Sequence, residues 1–165
     1  MTHFLEDEWA FWVDYWNEGQ YHIDKIASFA SVEEFWGVFP QIPEIKKHSN
    51  GRLSIFKNGY KPAWEDPIYA KGGMLRVQTK AMTQSEWENI VFKLIGGELE
   101  QKIGAKIIFG LRLKDNDLDF WISELRNIGE KLIPELGLNT SSLSSKVIEN
   151  NKNNKHYLFP QHFPN

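Results

Sequence analysis

The spacing of apolar residues along the chain predicts three amphipathic helices. The first is expected at about residues 31–39, where apolar side chains recur at i, i+3, i+4 and i+7 behind a capping box formed by Ser31 and Glu34. The second is expected from about residue 83 to the glycine pair at 96–97, and the third at about residues 124–136. In each segment the apolar residues share one helical face, which is the face that a helix buries.

Shorter runs between these segments predict strands, because they alternate or are rich in aromatic and β-branched residues. They lie at residues 9–16, 53–57, 75–79, 105–114, 118–122, 147–148 and 157–159. The pair that flanks Asp115-Asn116 is the best candidate for a hairpin. Strands and helices intermix without regular βαβ spacing, so the pattern predicts an α+β fold with an antiparallel sheet. A length of 165 residues fits one domain, residues 1–165.

Composition and charge narrow the function classes. The chain has no cysteine, which excludes disulfides and thiolate ligands, and its net charge of −3 argues against broad, non-specific coating of nucleic acid. No apolar run is long enough for a membrane span, and the acidic N-terminus has no apolar signal-peptide centre. These features fit a cytosolic or nuclear protein.

A short polar segment, residues 61–66, carries the most informative of the seven tryptophans, Trp64. Glu65 and Asp66 follow it at once, and the segment has the composition of a loop. An indole in such a loop favours a stacking surface, with an ordinary packed side chain as the alternative. An indole face beside a carboxylate can hold a flat, cationic ring that donates hydrogen bonds, and methylated guanine is such a ring.

Seven short motifs occur in a telling order: Trp9-Ala10-Phe11-Trp12, Ser31-Val32-Glu33-Glu34-Phe35-Trp36, Phe56-Lys57-Asn58-Gly59, Pro62-Ala63-Trp64-Glu65-Asp66, Lys71-Gly72-Gly73, Leu94-Ile95-Gly96 and Leu136-Gly137-Leu138. Their order and spacing resemble the eukaryotic translation initiation factor 4E family of messenger-RNA cap-binding proteins, from His3 to about Phe159. The resemblance implies a curved, cupped antiparallel β-sheet with three helices on its convex face. It also implies a cytoplasmic, possibly also nuclear, monomer without cofactors.

The resemblance implies a slot in which 7-methylguanine lies between two aromatic rings. Trp64 resembles one ring, and Glu65 resembles the carboxylate that accepts hydrogen bonds from the guanine edge. Trp121 resembles the tryptophan that contacts the methyl group. The second ring is expected at Tyr21, with Trp16 as the alternative, and either residue could instead be part of the core.

Arg112 and Lys114 resemble the family's basic residues that bind the cap phosphates. They are two residues apart on a predicted strand, so both side chains project from one face; a solvated strand end is the alternative. Two departures remove positive charge: Met74 stands where the family often has arginine, and Asp117 stands where it has a lysine. We therefore expect weaker binding that depends mainly on the base.

The family also binds helical peptides of the Tyr-x-x-x-x-Leu-hydrophobic type on its helical surface. The matching residues are His3, Val32, Trp36 and Phe92. Trp36 resembles the exposed partner-binding indole, although its place on an apolar stripe is equally typical of core. Glu88 stands where an apolar contact is expected, which favours a changed peptide preference.

Enzyme classes fit poorly, because the five histidines are scattered and no phosphate-binding Gly-Lys-Ser/Thr signature is present. The resemblance therefore predicts a protein that binds capped messenger RNA and a scaffold initiation factor, and acts in translation initiation. The alternatives are a cap-binding repressor with weak scaffold binding, and a protein-interaction module whose cap slot has decayed.

Overall fold

The computed structural model describes residues 1–45, 51–115, 117–139 and 143–150. Its strands are β1 Phe4–Asn17, β2 Gln20–Ser31, β3 Gly51–Lys57, β4 Gly73–Gln78, β5 Ile108–Lys114, β6 Asp117–Ile122 and β7 Ser144–Glu149. Its α-helices are α1 Val32–Val38, α2 Gln84–Ile95, α3 Glu98–Ile103 and α4 Gly129–Leu132. Single turns of 3₁₀ helix lie at Phe39–Gln41, Pro67–Tyr69 and Ile133–Leu136.

The strands form one curved, open sheet in the order β2-β1-β3-β5-β6-β4-β7, and every neighbouring pair is antiparallel. The predicted α+β fold with a cupped antiparallel sheet is therefore confirmed. The described part of the chain has four short α-helices where three were expected.

The larger core lies between the helices and one face of the sheet. Alternate residues of β1, such as Trp9 and Phe11, point to this face. The ring of Phe11 meets that of the buried Phe35 of α1. All four α-helices contribute buried side chains to this main core, among them Trp87, Ile90, Leu99 and Leu132. The α-helices of the described residues thus all pack on the same face of the sheet.

A second apolar cluster lies on the opposite face, which we call the second face. Its buried members are Phe56, Trp64, Tyr69, Met74, Trp121 and Ile148. Phe56 follows Ile55 of the main core along β3, and successive side chains of a strand point to opposite faces. This cluster is rich in aromatic rings, and it includes the indole of the 61–66 segment.

The ends of the first two helices follow their sequence signals. The Ser31 hydroxyl accepts a hydrogen bond from the Glu34 backbone N–H, although the Glu34 carboxylate accepts from Ala30 N–H instead of closing the box on Ser31. At α2 both bonds of the box between Thr83 and Glu86 are present. Both helices therefore begin where the spacing predicts.

The third predicted helix is wrong in its first half, because regular helix begins only at Gly129. Ser123 does not cap it, since the N-cap residue is Ile128. The Ser123 backbone N–H still donates to Ile107 O across the sheet, and Leu125 is 45% exposed. The helix is also short, since a 3₁₀ turn containing Pro134 replaces it from Ile133 onward. A proline lacks the N–H that a continued helix needs.

Two elements were missed. Strand β2 is an edge strand with many exposed residues, so it lacks the alternation that marks a half-buried strand. Helix α3 has only six residues, between Gly97 and Gly104, both of which have positive φ. The strand predicted at residues 157–159, and Asn116 of the predicted hairpin turn, lie outside the described residues.

Candidate functional site

The second face is organised in rows that run across the strands. One row joins Phe56, Gly110, Trp121 and Met74 through directly paired positions, so these residues share a face. We call it the aromatic row. Beside it runs a polar row, paired in the same way: Trp12, Ser54, Arg112, Asp119, Arg76 and Lys146.

Gly110 leaves room for the ring of Phe56 in the aromatic row. A Cβ at this position would lie 2.3 Å from Cγ of Phe56, so only glycine lets the phenyl ring lie across β5. The ring of Phe56 then meets Trp121 edge to face, with centroids 4.9 Å apart. Trp121 is fully buried at the centre of this contact.

Trp64 lies in a turn, as predicted, but its indole is only 3% exposed. The ring meets Trp121 at 4.6 Å and 76°, and it lies nearly parallel to Tyr69 at 6.2 Å and 16°. Within the described residues its Nε1 has no hydrogen-bond partner. The side chain thus has the packed position that was the alternative interpretation, because its loop folds back over the second face. Its stacking role stays a prediction.

The side chain of Arg112 holds the loop that carries Trp64 on the second face. The Nη2 of Arg112 donates to Pro62 O at 2.6 Å, and the guanidinium lies over the Trp121 ring at 4.7 Å. The Tyr69 hydroxyl donates to Lys61 O at 2.6 Å and closes the loop on itself. Glu65 remains exposed at the tip, next to the buried indole.

Arg112 and Lys114 lie on one face, as their spacing predicts, but they differ in environment. Arg112 is 4% exposed and already engaged by Pro62 and Trp121, so it is not a solvated strand end. Lys114 is half-buried, and burial lowers the pKa of its ammonium, with the nearby Arg52 charge adding to the effect. Of the two, Lys114 is the more accessible to an anion.

Tyr21 and Trp16 face each other across the β1–β2 pair, with ring centroids 5.9 Å apart. The Tyr21 hydroxyl donates to the Asp14 carboxylate, and burial raises the pKa of the phenol, an effect that the charge of Arg112 partly offsets. Tyr21 is thus part-buried beside the polar row, whereas Trp16 is 40% exposed at the rim. Both remain candidates for the second ring.

Met74 and Asp117, the two departures from the family pattern, are both at least half-buried. Met74 is buried in the aromatic row beside Trp121. Asp117 is half-buried, and burial followed by the charge of Asp119 raises the pKa of its carboxyl group. Arg76 does not replace the lost charge, since it makes two hydrogen bonds to Asp119, at 2.7 and 2.9 Å.

Sequence reasoning missed three residues of this face. Tyr69 packs parallel to Trp64, and Asn150 donates hydrogen bonds to the loop from the end of β7. Arg52 lies opposite Asp14, and burial together with Arg112 lowers the pKa of its guanidinium to about 9. Only Arg52 carried a usable signal, as a charged residue directly before a predicted strand.

The predicted partner residues come together on the opposite side of the molecule. Val32 N–H donates to His3 O at 2.9 Å, and the Trp36 and Phe92 rings lie 5.5 Å apart. Trp36 is 51% exposed, so its interpretation as core is wrong. Glu88 is half-buried on α2, one helical turn before Phe92. We call His3, Val32, Trp36 and Phe92 the exposed patch.

The model of the family described as "Eukaryotic initiation factor 4E" matches residues 4–158. The chain belongs to this family. Members of this family are cap-binding factors and not enzymes, in agreement with the expectation from the motifs. Within the described residues there is no helix with the length and apolar character needed to cross a membrane.

Curated relatives are similar at moderate identity. The chain is 29% identical over 140 residues to eukaryotic translation initiation factor 4E-2 of Arabidopsis thaliana, covering 76% of this chain and 56% of the relative. It is 30% identical over 135 residues to isoform 4E-2 of Oryza sativa subsp. japonica, covering 76% and 66%. The chain therefore spans a little over half the length of the first of these relatives.

Solved structures support the fold. A schistosome eIF4E complexed with m7GpppG and 4E-BP has a TM-score of 0.76 at 21% identity, covering 89% of each chain. Ascaris suum eIF4E-3 with an m7G cap has a TM-score of 0.74 at 22% identity, covering 92% of this chain and 94% of the other. At these identities the likeness shows the fold alone.

Proposed function

We propose that the chain binds the 7-methylguanosine cap of messenger RNA on its second face and acts in translation initiation through a partner held on the exposed patch. The observation that carries this proposal is the loop in which Trp64 and the exposed Glu65 are adjacent, fastened by Arg112 over a row of aromatic rings. Family membership supports it, as do similar folds solved with m7G caps.

The base fits this loop on chemical grounds. Methylation at the seventh nitrogen places a positive charge on the guanine ring, so stacking on the Trp64 indole gains a cation–π contribution. Base stacking on an aromatic side chain contributes about 1–3 kcal/mol. The Glu65 carboxylate accepts hydrogen bonds from the two donors on the guanine edge, whereas adenine presents an acceptor there. Indole and carboxylate together select a methylated guanine.

Trp64 must uncover a ring face for this contact. Its indole is enclosed by Trp121 and Tyr69, so binding includes a rearrangement of the side chain toward the exposed Glu65. The buried Nε1, which has no partner among the described residues, makes the enclosed position less favourable than a fully bonded one, because an unsatisfied buried donor costs about 1–3 kcal/mol. This cost reduces the free energy that a ligand must supply to move the ring out of its enclosed position.

The phosphates contribute less than the base. Arg112 already donates to Pro62 O, which leaves Lys114 as the more accessible of the two predicted cations. Asp117 lies next to Lys114 in the paired register and repels an anion. Binding that depends mainly on the base follows from this arrangement, with Arg112 and Lys114 adding a smaller attraction.

The exposed patch supports the partner contact. Its apolar rings, Trp36 and Phe92, lie side by side on α1 and α2 and can receive the apolar face of a helical peptide. Glu88 adds a carboxylate at its edge, so the preferred peptide carries a basic residue at that point. A scaffold initiation factor and a repressor fit this surface equally well.

One specific observation favours a second function. Trp64 is 3% exposed, which is also what a protein-interaction module with a decayed cap slot would show. Fluorescence titration with 7-methyl-GTP and GTP, side by side, separates the two. Quenching by 7-methyl-GTP at concentrations where GTP has no effect supports the cap slot, and equal responses to both nucleotides contradict it.

A further inference from the structure

Asn150, directly after the edge strand β7, connects this strand to the loop that carries Trp64 and Glu65 and to the 3₁₀ turn that follows the loop. Its side-chain amide donates to Tyr69 O at 2.9 Å and to Trp64 O at 3.3 Å. Its backbone N–H donates to Gly72 O at 3.0 Å. An asparagine amide has two N–H donors, which match the two carbonyl acceptors Trp64 O and Tyr69 O.

The glycine pair Gly72-Gly73 brings the loop within reach of Asn150. A Cβ on Gly72 would lie 2.0 Å from Ile122 O, and one on Gly73 would lie 2.4 Å from Ile148 O. The backbone therefore passes between β6 and β7 at a distance that only glycine allows. This close passage places the carbonyl of Gly72 beside the Asn150 N–H.

The bond to Trp64 O fixes more than the indole residue. The carbonyl of Trp64 belongs to the same planar peptide unit as the Glu65 N–H, so fixing its direction also fixes the start of Glu65. The indole is free to turn about its own side-chain bonds while this peptide unit stays in place. Asn150 can thus hold the loop backbone in both the enclosed and the open positions of the ring.

We propose that Asn150 is a positioning residue for recognition of the methylated base, acting through the backbone of Trp64 and Tyr69 without touching the ligand. This inference rests on the proposed cap-binding function. It adds that specificity for 7-methylguanine depends on a side chain from the end of β7, outside the loop and outside the sheet rows that form the slot.

The variants Asn150→Ala and Asn150→Asp test this role. Alanine removes the side-chain donors, and aspartate keeps the shape but turns carboxylate oxygens toward two carbonyl oxygens. Ser145→Ala is the matched control, because Ser145 is an exposed residue of the same strand, paired with Val77 and distant in register from the loop.

The first measurement needs no ligand. Acrylamide quenching of tryptophan fluorescence should increase in both Asn150 variants, and the increase should vanish when each variant is combined with Trp64→Phe. Unchanged quenching in Asn150→Ala and Asn150→Asp, with both folded by circular dichroism, would overturn the inference. If alanine prevents folding, the isosteric aspartate variant decides the result.

The second measurement is the ratio of affinities for 7-methyl-GTP and GTP. We expect this ratio to fall by roughly three- to tenfold in both Asn150 variants, as for the loss of one or two hydrogen bonds, and to stay constant in Ser145→Ala. A lower melting temperature with an unchanged ratio would show a merely structural role and would overturn the inference. If the wild type itself does not prefer 7-methyl-GTP, the proposed function fails, and the quenching measurement still decides whether Asn150 positions the loop.

Discussion

Trp36 and Trp64 lie on opposite sides of the molecule and differ in what stands behind them. Trp36 projects from a regular helix and is 51% exposed, whereas Trp64 projects from a turn and is 3% exposed. On α1 the inward positions are already filled by Phe35, so the indole remains outside. On the second face the strands present Trp121 and Phe56. None of the α-helices that the structure describes packs on these rings, and the loop covers them. Burial is decided by the surface available for packing, not by the kind of element that carries the ring.

The difference also separates the two binding surfaces that we propose. The exposed patch fits the proposed partner contact, since exposed apolar side chains that lie together are typical of interaction sites. Under the proposed function, the rings of the second cluster stay enclosed until a ligand competes for them. A surface of the first kind binds with little rearrangement, and one of the second kind gains selectivity because only a ligand that stacks well can replace the internal contacts.

Removing a central ring from the second cluster should have the largest effect on stability. Trp121→Ala is expected to lower the free energy of unfolding by about 3–5 kcal/mol, because it leaves a cavity under Trp64, Phe56 and Arg112. Urea denaturation followed by circular dichroism measures this change. Trp36→Ala serves as the control of equal chemistry and should change stability far less. Equal losses in the two variants would mean that the exposed and enclosed indoles do not differ as described.

The same control variant should have a large effect on partner binding. We expect Trp36→Ala to weaken binding of a Tyr-x-x-x-x-Leu-hydrophobic peptide by about 2 kcal/mol or more, as for an aromatic hot spot. Fluorescence anisotropy of a labelled peptide measures it. Ile68→Ala, which changes an exposed apolar residue elsewhere in the chain, should leave affinity unchanged. Peptide binding that survives Trp36→Ala would place the partner on another surface.

A substitution of Glu65 tests the second face alone. Replacing it by alanine should remove about 2 kcal/mol of preference for 7-methyl-GTP over 7-methyl-ATP, because the carboxylate reads the donors of the guanine edge. Competition binding with the two nucleotides gives this number, and stability should not change since Glu65 is exposed. Glu130→Gln, at another exposed acid, is the control. A preference that persists without Glu65 would remove this residue from base recognition.

The smallest expected effect is a pH dependence at the edge of the exposed patch. Hydrogen bonds from the His3 backbone N–H, and then from its ring, lower the pKa of Glu33 from 4.5 to about 2. Because the folded pKa is depressed, this tether should contribute fully above pH 4.5 and be lost as the pH falls toward 2. A carbon NMR titration of the Glu33 carboxylate measures the pKa. His3→Ala should raise it only part of the way, since the backbone donor remains. A wild-type pKa at the ordinary value would show that the tether does not form in solution.

Local signals predicted the parts of the fold that local physics determines. The capping box at Thr83 and Glu86 sets the start of α2, and the two-residue spacing of Arg112 and Lys114 puts them on one face. The third helix was predicted to begin too early because the chain at Ser123 is still bonded to the sheet through Ile107 O, a contact that spacing along the chain does not reveal. The packed position of Trp64 was only the alternative interpretation, because the rings that it meets, Tyr69 and Trp121, lie outside its own segment.

The remaining parts of the candidate site depend on contacts between distant residues. Tyr69 and Asn150 carry no local motif, and they matter only because the loop returns to β6 and the end of β7. Arg112 was predicted to bind phosphate, but its bond to Pro62 O shows a second task, which is to fasten the loop. Such long-range partners become visible only when the chain is folded.

The most direct test of the account is calorimetric titration of 7-methyl-GTP into the wild type and into Trp64→Leu, with thermal unfolding to verify that the variant is folded. If Trp64 leaves its enclosed position to stack on the base, the wild type binds and the variant loses roughly ten- to a hundredfold in affinity. Equal affinities in the two proteins would contradict the claim that this enclosed indole forms a wall of the cap slot.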